Sequence, residues 1–578
     1  MRVGRLLAVT LLLAGWSGSA GVDSSAAQTE PKRPNVVVIL TDDQRHNTLA
    51  TMPEVQEHLI RKGVSFSQAF ASNSICCPAR ATFLTGNYAH TTGVYSNLRP
   101  FGNMWGFRHG GAERSTLATW LQASGYRTSF MGKYMNTYTG GVPPGWDEWR
   151  ALVGGSFTDY VVNVNGRNER SSTEHVSDYL TREATEFIER GLGGTTPFLL
   201  YVSTPLPHAP ATPLPAHADA FPDLAPYESP AFNEEDVSDK PAYVRGYALR
   251  DPAAIEHWRI RQLRSLLGAD QMVGAIVDTL AATGQLTDTI VVYTSDNGMA
   301  WGDHRLMGAH KAVPYESSIR VPFIVRYDRL AGARRVDGRL VTNADLAPTL
   351  ADLGRAKRPP TEGRSLGPLL AQQATGWRSA VLLENQGGLW ADDPMPSYCG
   401  VRLADMKYVL YNSGEEELYD LAVDPFELQN RAADAGAESR RLVGLAAVRK
   451  LCFPTPPGYR PAKLYTVRGG MRPGTIKGGP GVDHIRSRSL RDTIVAGAGN
   501  DTVDAQSLEV QGLARATFTL RSPLGPGGRI YGGPGHDRIN VRNGRRDVTR
   551  CGKGNDLVVA DRFDRRFGCE GVRYPYRR

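Results

Sequence analysis

The chain has 578 residues, of which 41% are hydrophobic and 22% charged, and its formal net charge is +8. This length exceeds one ordinary domain, so we expect a large core with one or two smaller units. Beyond the N-terminal apolar run, no stretch approaches the length that crosses a bilayer, which excludes a membrane span from the mature chain.

The first residues, "MRVGRLLAVTLLLAGWSGSA", are typical of an export signal. Two arginines precede an apolar run of signal-peptide length, and small residues that suit cleavage follow near Ala20 or Ala27. No cysteine follows the apolar run to take a lipid. We therefore predict a signal peptide over residues 1–27 and a secreted, extracellular mature chain, in surroundings that permit disulfides.

Four apolar runs, each ending at a polar cluster, organise residues 35–350. They read "NVVVILTDD", "YRTSFMGKY", "PFLLYVSTPLPH" and "TIVVYTSDNG", and they are typical of buried strands in an α/β sheet. A helical pattern, "DPAAIEHWRIRQLRSLLGADQMVGAIVDTLAATGQ", separates the last two runs and ends at Gly284. The order predicts an α/β fold with a doubly wound sheet, in which ligands collect at the carboxyl ends of the strands.

Polar side chains occupy the predicted strand ends. They are Asp42, Asp43, Lys133, His208, Asp296 and Asn297. The three carboxylates and the amide form an all-oxygen ligand set, which suits a hard cation such as Ca²⁺ or Mg²⁺ and not zinc. Each short motif is weak by itself, since Asp-Asn-Gly is more often a turn. Their convergence at one edge of a sheet predicts a site.

Two adjacent cysteines, Cys76 and Cys77, stand in the stretch "SNSICCPARATFLTG". Neighbouring cysteines rarely bridge each other without strain, and no second Cys or His pair at short spacing accompanies them to bind zinc. The remaining interpretation is a reactive Cys76 at the start of a short amphipathic helical turn. Pro78 would lie near the first helical position, and the helix dipole and Arg80 would favour negative charge. A small buried apolar cysteine is the alternative, above all for Cys77.

The other four cysteines are Cys399, Cys452, Cys551 and Cys569. Three pairings are possible. The most local one, Cys399 with Cys452 and Cys551 with Cys569, is our prediction.

The pattern of apolar and polar residues changes at about residue 376. The stretch "VRLADMKYVLYNSGEEELYDLAVDPFELQN" predicts two short strands, a turn and a helical segment, and hence a smaller α+β subdomain. After a proline-rich linker, "CFPTPPGYRPAK", the chain becomes rich in Gly and repeats with a nine-residue period. The aspartates of these repeats are Asp483, Asp492, Asp501, Asp537 and Asp556. The pattern resembles the calcium-binding nonapeptide repeats of RTX-type β-rolls.

The repeat tail is also the basic part of the chain. From Tyr465 to Arg578 there are 21 Lys and Arg against 11 Asp and Glu, a balance of +10, which leaves −2 for residues 1–464. A cation-binding roll is usually acidic. The alternative is therefore a tail that binds little metal and is held by a disulfide between Cys551 and Cys569. The positive charge favours contact with an anionic polymer or the cell envelope. We predict no nucleic-acid partner, and a solvated surface is the alternative.

Six motifs occur in the order and spacing of the type I sulfatases: "LTDDQ", "CCPARATFLTG", "GKY", "PHAP", "TSDNG" and "HKAVPYESSIRVP". The chain resembles that family over residues 33–460. The C-x-P-x-R core is the family's modification signature, and the double cysteine is similar to that of N-acetylglucosamine-6-sulfatases and extracellular heparan endosulfatases. The resemblance implies an alkaline-phosphatase-like catalytic domain over 33–375 and an α+β subdomain over 376–460. The repeat tail, 461–578, is not part of it.

The resemblance implies that a separate formylglycine-generating enzyme oxidises Cys76 to formylglycine (3-oxoalanine). A hydrated aldehyde carries two hydroxyls on one carbon. One attacks sulfur to give a covalent sulfoenzyme intermediate, and the other expels sulfate by restoring the carbonyl. The resemblance also implies one Ca²⁺, with Mg²⁺ as the alternative. Its ligands would be Asp42, Asp43, Asp296, Asn297 and the hydrate formed at Cys76.

The remaining roles follow from charge. Arg80 and Lys133 would neutralise the hydrate and the sulfuryl oxygens. His208 or Lys311 would give a proton to the leaving oxygen. Asp296 could also accept the proton of the hydrate.

The chain departs from the family pattern at one position. Where many members have a His two places beyond the lysine, this chain has Met135 followed by Asn136, which could replace that sulfate contact. The histidines close to the motifs, His90, His304 and His310, are interpreted as structural or substrate-facing.

We therefore predict a secreted sulfuric ester hydrolase that acts on a sulfated carbohydrate, of the glucosamine 6-sulfate type. A phosphoester or phosphonate monoester hydrolase on the same scaffold is one alternative. An inactive sulfatase-like binding protein, anchored by its tail, is the other.

Overall fold

The computed structural model describes residues 32–98, 102–171, 173–308, 311–330, 334–386 and 395–452, and the backbone of short strands between residues 466 and 573. The predicted signal peptide lies outside the described residues. The helices are α1 Pro53–Val55, α2 Cys76–Thr85, α3 Ala89–Thr92, α4 Asn103–His109, α5 Leu117–Ala123, α6 Val176–Glu189, α7 Ala242–Arg245, α8 Pro252–Ala282, α9 Glu316–Ile319, α10 Leu346–Leu353, α11 Gly367–Leu370 and α12 Glu438–Leu451. Within the described part of the chain, no helix is both long and apolar enough to cross a membrane.

Chain contacts divide the protein into two compact units, Met1–Phe453 and Pro454–Arg578. The strands of the first unit are β1 Asn35–Thr41, β2 Val64–Phe66, β3 Ala69–Phe70, β4 Arg127–Gly132, β5 Glu148–Gly155, β6 Tyr160–Val164, β7 Arg167–Ser171, β8 Phe198–Ser203, β9 Thr289–Ser295, β10 Phe323–Arg326, β11 Arg335–Asp337, β12 Val341–Thr342, β13 Ala380–Asn385, β14 Tyr398–Leu403, β15 Met406–Tyr411 and β16 Glu416–Asp420.

A ten-stranded mixed sheet forms the centre of the first unit, in the order β11-β2-β10-β9-β1-β8-β4-β5-β6-β7. Strands β9, β1, β8, β4 and β5 are parallel neighbours, whereas β10 and β6 join antiparallel. Thr41 of β1 pairs with Ser295 of β9, so these two strands end side by side. All four strands that the apolar runs predict are present.

Both faces of the large sheet are buried, as the continuous apolar runs indicate. Along β1, Val36 and Val38 belong to one hydrophobic core, and Val37 and Ile39 belong to the other. Because side chains alternate along a strand, one short run supplies both layers. The helices therefore pack on two sides of the sheet, which is the predicted doubly wound arrangement with mixed edges.

Two helices differ from the sequence predictions. The long helix α8 begins at Pro252, where the Asp251 side chain accepts a hydrogen bond of 3.0 Å from the Ala253 N–H. It ends at Ala282, two residues before the predicted end. The predicted amphipathic character of α2 is wrong, since all ten of its residues are buried. The reason is that α3, α4, α5 and α10 surround it.

The smaller subdomain is an antiparallel sheet in the order β13-β14-β15-β16, covered by α12. Over residues 401–430 the sequence predicts two strands and then a helical segment, whereas the structure has the end of β14 followed by β15 and β16, and the next α-helix, α12, begins only at Glu438. The predicted disulfide between Cys399 and Cys452 is confirmed, with Cα atoms 6.2 Å apart, and it ties β14 to the residue that follows α12. The second predicted pair, Cys551 with Cys569, lies outside the described residues.

Side chains of the small sheet hold the loop that leads into α9. Glu417 accepts hydrogen bonds from the hydroxyls of Tyr315, Tyr411 and Tyr419 at 2.6, 2.5 and 2.5 Å. The fully buried Lys407 donates to the Pro314 carbonyl at 2.6 Å. Buried charged groups of the small sheet, Glu417 and Lys407, thus hold the loop before α9.

The second unit contains two long strands and several short ones, joined in parallel. They are β17 Thr466–Arg468, β18 Thr475–Lys477, β19 His484–Ser487, β20 Asp492–Ala505, β21 Leu508–Phe518, β22 Arg529–Tyr531, β23 Arg538–Asn540, β24 Val548–Arg550, β25 Leu557–Val559, β26 Arg565–Phe567 and β27 Gly571–Arg573. Thr475 pairs with Thr493 and His484 with Thr502, so the paired strands among β17–β20 are offset by 18 residues, whereas the pairings beyond β20 have offsets between 14 and 21. The offset among β17–β20 equals two of the nine-residue sequence repeats.

Candidate functional site

Four adjacent strands bring their carboxyl ends to one edge of the large sheet, and α2 covers that edge. The side chains supplied by these elements are Asp42 and Asp43 after β1, Asp296 and Asn297 after β9, Lys133 after β4, His208 in the loop after β8, and Cys76 and Arg80 of α2. Lys311 joins them from the loop before α9. The residues that the sequence singles out are therefore together in space.

An acidic cluster lies at the ends of β1 and β9. Oxygen atoms of Asp42, Asp43 and Asp296 lie within 4.8 Å of one another. The Asp43 N–H donates to Asp296 Oδ1 at 3.2 Å, and Asn297 Nδ2 donates to Asp43 Oδ1 at 2.7 Å. Burial, together with the charge of Asp42, raises the pKa of Asp296 to about 6. Three carboxylates packed this closely need positive charge beside them.

The acidic cluster fits a hard divalent cation. Asn297 is fully buried, and its Oδ1 has no hydrogen-bond partner within the described part of the chain. A buried carbonyl oxygen without a donor is an available ligand. With the carboxylates of Asp42, Asp43 and Asp296 it makes the all-oxygen donor set that Ca²⁺ and Mg²⁺ prefer.

Two lysines supply the positive charge at the same place. The ammonium group of Lys133 contacts Asp42, and that of Lys311 contacts Asp43. The same two nitrogen atoms lie 3.7 and 3.2 Å from the sulfur of Cys76. Burial opposes both charges, but the carboxylates outweigh it and raise the pKa of each lysine. Both lysines therefore carry their protons at neutral pH.

Arg80 connects the acidic cluster to the strand ends. Its Nε donates to Asp296 at 2.9 Å, and its Nη1 donates to the Lys133 carbonyl at 2.7 Å and to Ser203 Oγ at 2.6 Å. Its Nη2 lies 3.4 Å from Asp42. One buried guanidinium thus fixes carboxylates from two strands and the backbone of a third.

Cys76, the first residue of α2, has no exposed surface. Its sulfur is 3.8 Å from Asp42 Oδ1. The pKa of the thiol is raised, although the helix start and Arg80 are expected to favour negative charge here. Burial is the main cause, and the carboxylates of Asp42 and Asp296 add to it, against the opposing effect of Lys133 and Lys311. An unmodified Cys76 is therefore a thiol and a poor nucleophile.

Cys77 packs into the core beneath the site, as its alternative interpretation suggested. Its sulfur accepts a hydrogen bond of 3.1 Å from the Asn136 N–H, and its own N–H donates to Asn97 Oδ1 at 2.8 Å. The side-chain Oδ1 of Asn136 is buried without a partner in the described structure. Asn136 thus contacts the residue that follows Cys76, and its side-chain oxygen is available to accept a hydrogen bond.

The histidines differ in their surroundings. His208 Nε2 lies 3.7 Å from Asp43, and burial together with Lys133 holds the pKa of His208 below its usual value. His304 is buried, with its Nδ1 2.6 Å from a Glu234 oxygen, which is a structural contact. His310 lies outside the described residues.

His90 forms a separate ionic cluster. Its ring nitrogens lie 3.0 Å from Glu384 and 2.9 Å from Glu362. Burial opposes the imidazolium, but hydrogen bonds to the two glutamates outweigh it and raise the pKa of His90 to about 10. His90 therefore carries a positive charge at neutral pH, and its ion pairs with Glu362 and Glu384 join segments that are far apart in the sequence.

Sequence reasoning did not identify a role for Ser203, nor the contacts that hold the loop of Lys311. Ser203 ends β8, and its backbone oxygen accepts the Lys133 N–H at 2.7 Å, besides the contact of its hydroxyl with Arg80. The predicted end of that strand located Ser203 without giving it a role. Nothing in the local sequence pairs Lys407 with the Pro314 carbonyl, since 93 positions separate them.

The chain is similar to known proteins in sequence and in structure. A family model described as "Sulfatase" matches residues 34–356, and one described as "N-sulphoglucosamine sulphohydrolase, C-terminal" matches residues 300–442. The chain is 31% identical over 541 residues to the N-acetylglucosamine-6-sulfatase of Homo sapiens, covering 80% of this chain and 94% of that protein. It is 32% identical over 387 residues to an extracellular sulfatase SULF-1 homolog of Drosophila melanogaster.

The extent of these similarities varies. The aligned part is 63% of this chain but only 34% of the length of the Drosophila protein. Among solved structures, BT4656 in complex with its substrate D-glucosamine-2-N,6-O-disulfate has a TM-score of 0.66 at 22% identity, covering 72% of this chain and 97% of that one. At this identity the likeness shows a shared fold, which is alkaline-phosphatase-like with a large mixed sheet and a smaller antiparallel sheet.

Proposed function

Since the chain belongs to the sulfatase family, we propose that it hydrolyses a sulfate ester of a carbohydrate, of the glucosamine 6-sulfate type. The observation that carries the proposal is the convergence of the Lys133 and Lys311 ammonium groups on the Cys76 sulfur, beside the acidic cluster. Two fixed cations around one reactive position suit an ester whose charge lies on several oxygens. Relatives named for N-acetylglucosamine 6-sulfate support the substrate class.

We propose that a formylglycine-generating enzyme oxidises Cys76, which begins the sequence Cys-Cys-Pro-Ala-Arg. The aldehyde would supply, as its hydrate, one hydroxyl that attacks sulfur and a second that allows sulfate to leave. The raised pKa of the unmodified thiol supports this proposal, because a buried neutral thiol offers no comparable nucleophile.

Asp42, Asp43, Asp296 and Asn297 would hold Ca²⁺, with Mg²⁺ as the alternative. The ion would neutralise the attacking oxygen and orient the sulfate group. Asp296 would also accept the proton of the hydrate. Its contact with Arg80 keeps it in place.

The proposed roles of the cations follow their positions. Lys133 and Arg80 lie on the α2 side of the site and would bind sulfuryl oxygens. Lys311 and His208 lie on the side of Asp43 and would serve the leaving oxygen. Of these two, Lys311 carries a proton at neutral pH, whereas His208 has a lowered pKa. Asn136 would donate a hydrogen bond from its Nδ2 to a sulfate oxygen.

The ends of the chain complete the proposal. Residues 1–27 would direct secretion, 33–375 would form the catalytic domain, and 376–460 the subdomain. Residues 461–578 would form an RTX-like roll that binds further Ca²⁺ or an anionic polymer of the cell envelope. The 18-residue offset among β17–β20 supports a roll in that part of the tail, since two nonapeptides make one turn.

The mass of the peptide that contains residues 72–80 tests the chemistry directly. We expect the secreted protein to carry an aldehyde or its hydrate at Cys76 and a thiol at Cys77. Cys76→Ala should abolish hydrolysis of 4-nitrophenyl sulfate and glucosamine 6-sulfate, while Cys77→Ser, the matched control, should retain it. An intact thiol at Cys76 in active protein would refute the proposal.

A second measurement separates sulfatase from phosphoesterase. Matched sulfate and phosphate monoesters of 4-nitrophenol are compared by kcat/KM, and the proposal requires the sulfate to be preferred. Protein that carries unmodified Cys76 and turns over neither ester would instead be the inactive binding protein.

A further inference from the structure

Asn385, the last residue of β13, carries a buried amide that the fold does not use. The residue is 4% exposed, and neither its Oδ1 nor its Nδ2 has a hydrogen-bond partner among the residues that the structure describes. Because both atoms lack a partner, exchanging them by an amide flip changes nothing. Buried polar groups are nearly always bonded, so this amide needs an explanation.

The strand pairing shows which way Asn385 faces. Asn385 lies directly opposite Tyr398 in the antiparallel pair β13 and β14, so the two side chains share one face of the small sheet. The Tyr398 hydroxyl donates to the Ala312 carbonyl at 3.2 Å. Ala312 is the residue after Lys311. The face that carries Asn385 is thus turned toward the loop of a proposed catalytic lysine.

The segment before Cys76 adjoins the same place. The N–H of Glu384 donates to the Ser72 carbonyl at 2.8 Å, one residue before Asn385. Ser74 Oγ donates to the Val313 carbonyl at 3.1 Å, which ties that segment to the loop of Lys311. Asn385 therefore lies where the segment that leads to Cys76 meets the loop that carries Lys311.

A buried asparagine with a purely structural role in this protein looks different. Asn35 is the first residue of β1, at the end of the large sheet away from the acidic cluster, and it is 6% exposed. Its Nδ2 donates to Thr289 Oγ1 at 3.4 Å, and its Oδ1 accepts from the Phe198 N–H at 3.2 Å. The amide of Asn35 is used at both ends, whereas that of Asn385 is used at neither.

We propose that Asn385 is a specificity residue, which hydrogen-bonds a hydroxyl or amide substituent on the sugar ring that carries the sulfate ester. This inference rests on the proposed function. An amide presents both a donor group and an acceptor group, which matches a hydroxyl or an acetamido group, whereas a second sulfate would use the donor group alone. Its low exposure is no obstacle, since Cys76 itself is 0% exposed.

The test uses binding to the full chain carrying Cys76→Ala, so that it does not depend on turnover. Dissociation constants of glucosamine 6-sulfate and of 4-nitrophenyl sulfate are measured by calorimetry for this protein and for the same protein with Asn385→Leu. Leucine has the same branching and the same number of side-chain heavy atoms, and it has no polar atom. We expect the sugar to bind about ten-fold more weakly and 4-nitrophenyl sulfate to change less than two-fold. The matched control, Asn35→Leu, should leave both constants unchanged.

Thermal unfolding gives an independent readout. Replacing an unbonded buried amide by leucine should leave the melting temperature unchanged or raise it, whereas Asn35→Leu should lower it. Equal weakening of both ligands by Asn385→Leu, or no change in either, would overturn the assignment. Failure of the proposed function is distinguishable, because the parent protein would then bind neither sulfate ester.

Discussion

Glu417 is the residue through which we expect the small sheet to stabilise the site. Replacing it by leucine removes the shared acceptor of three buried tyrosine hydroxyls, those of Tyr315, Tyr411 and Tyr419. A buried hydroxyl left without an acceptor costs about 1–3 kcal/mol. Because the Tyr243 hydroxyl lies 3.4 Å from that of Tyr411 and can accept from it, two stranded hydroxyls at the lower end of that range give a loss of about 2 kcal/mol. Tyr419→Phe, which removes one donor and leaves the carboxylate two, should cost about 1 kcal/mol.

Thermal unfolding of the full chain, monitored by tryptophan fluorescence, measures both losses. Glu417→Leu should lower the melting temperature about twice as much as Tyr419→Phe. It should also lower kcat/KM, because Tyr315 belongs to the loop that carries Lys311. Equal shifts for the two variants would refute the reasoning, since they would show that water replaces the carboxylate or that the hydroxyls find other acceptors.

Three further outcomes are expected. The pKa of His90 is raised from 6.5 to about 10, so its charge stabilises the fold below pH 6.5 and this contribution is lost as pH rises toward 10; His90→Gln should therefore lower the melting temperature more at pH 6 than at pH 10. The disulfide between Cys399 and Cys452 closes a segment of 53 residues, so replacing both by serine should cost at most about 4 kcal/mol in urea unfolding. Calcium at one hundred times its dissociation constant should stabilise the protein by about 2.7 kcal/mol against chelator, and Asp43→Asn should remove that effect.

The centre of the fold was predictable because its signals are local. The runs at β1, β4, β8 and β9 are apolar on both faces and stop at polar clusters, and parallel strands that end together must bring those clusters together. Asp42, Lys133 and Asp296 could thus be assigned to one site before any contact was known. The site remained predictable although its members are far apart in the chain.

What escaped prediction depends on packing between distant segments. Burial of α2 on every side follows from four neighbouring helices that its own ten residues do not reveal. The rise in the Cys76 pKa has the same origin, since desolvation outweighs the nearby lysines. The unused amide of Asn385 can be recognised only after every possible partner has been placed.

The support that the small sheet gives to the loop of Lys311 has a practical consequence for expression. A fragment ending at residue 375 would lack the groups that contact Ala312, Pro314 and Tyr315. Such a fragment would expose the apolar surface that the small sheet covers and would leave the loop unsupported. Shortened versions for crystallisation should therefore extend through Cys452, whose bond to Cys399 closes the last element of the first unit.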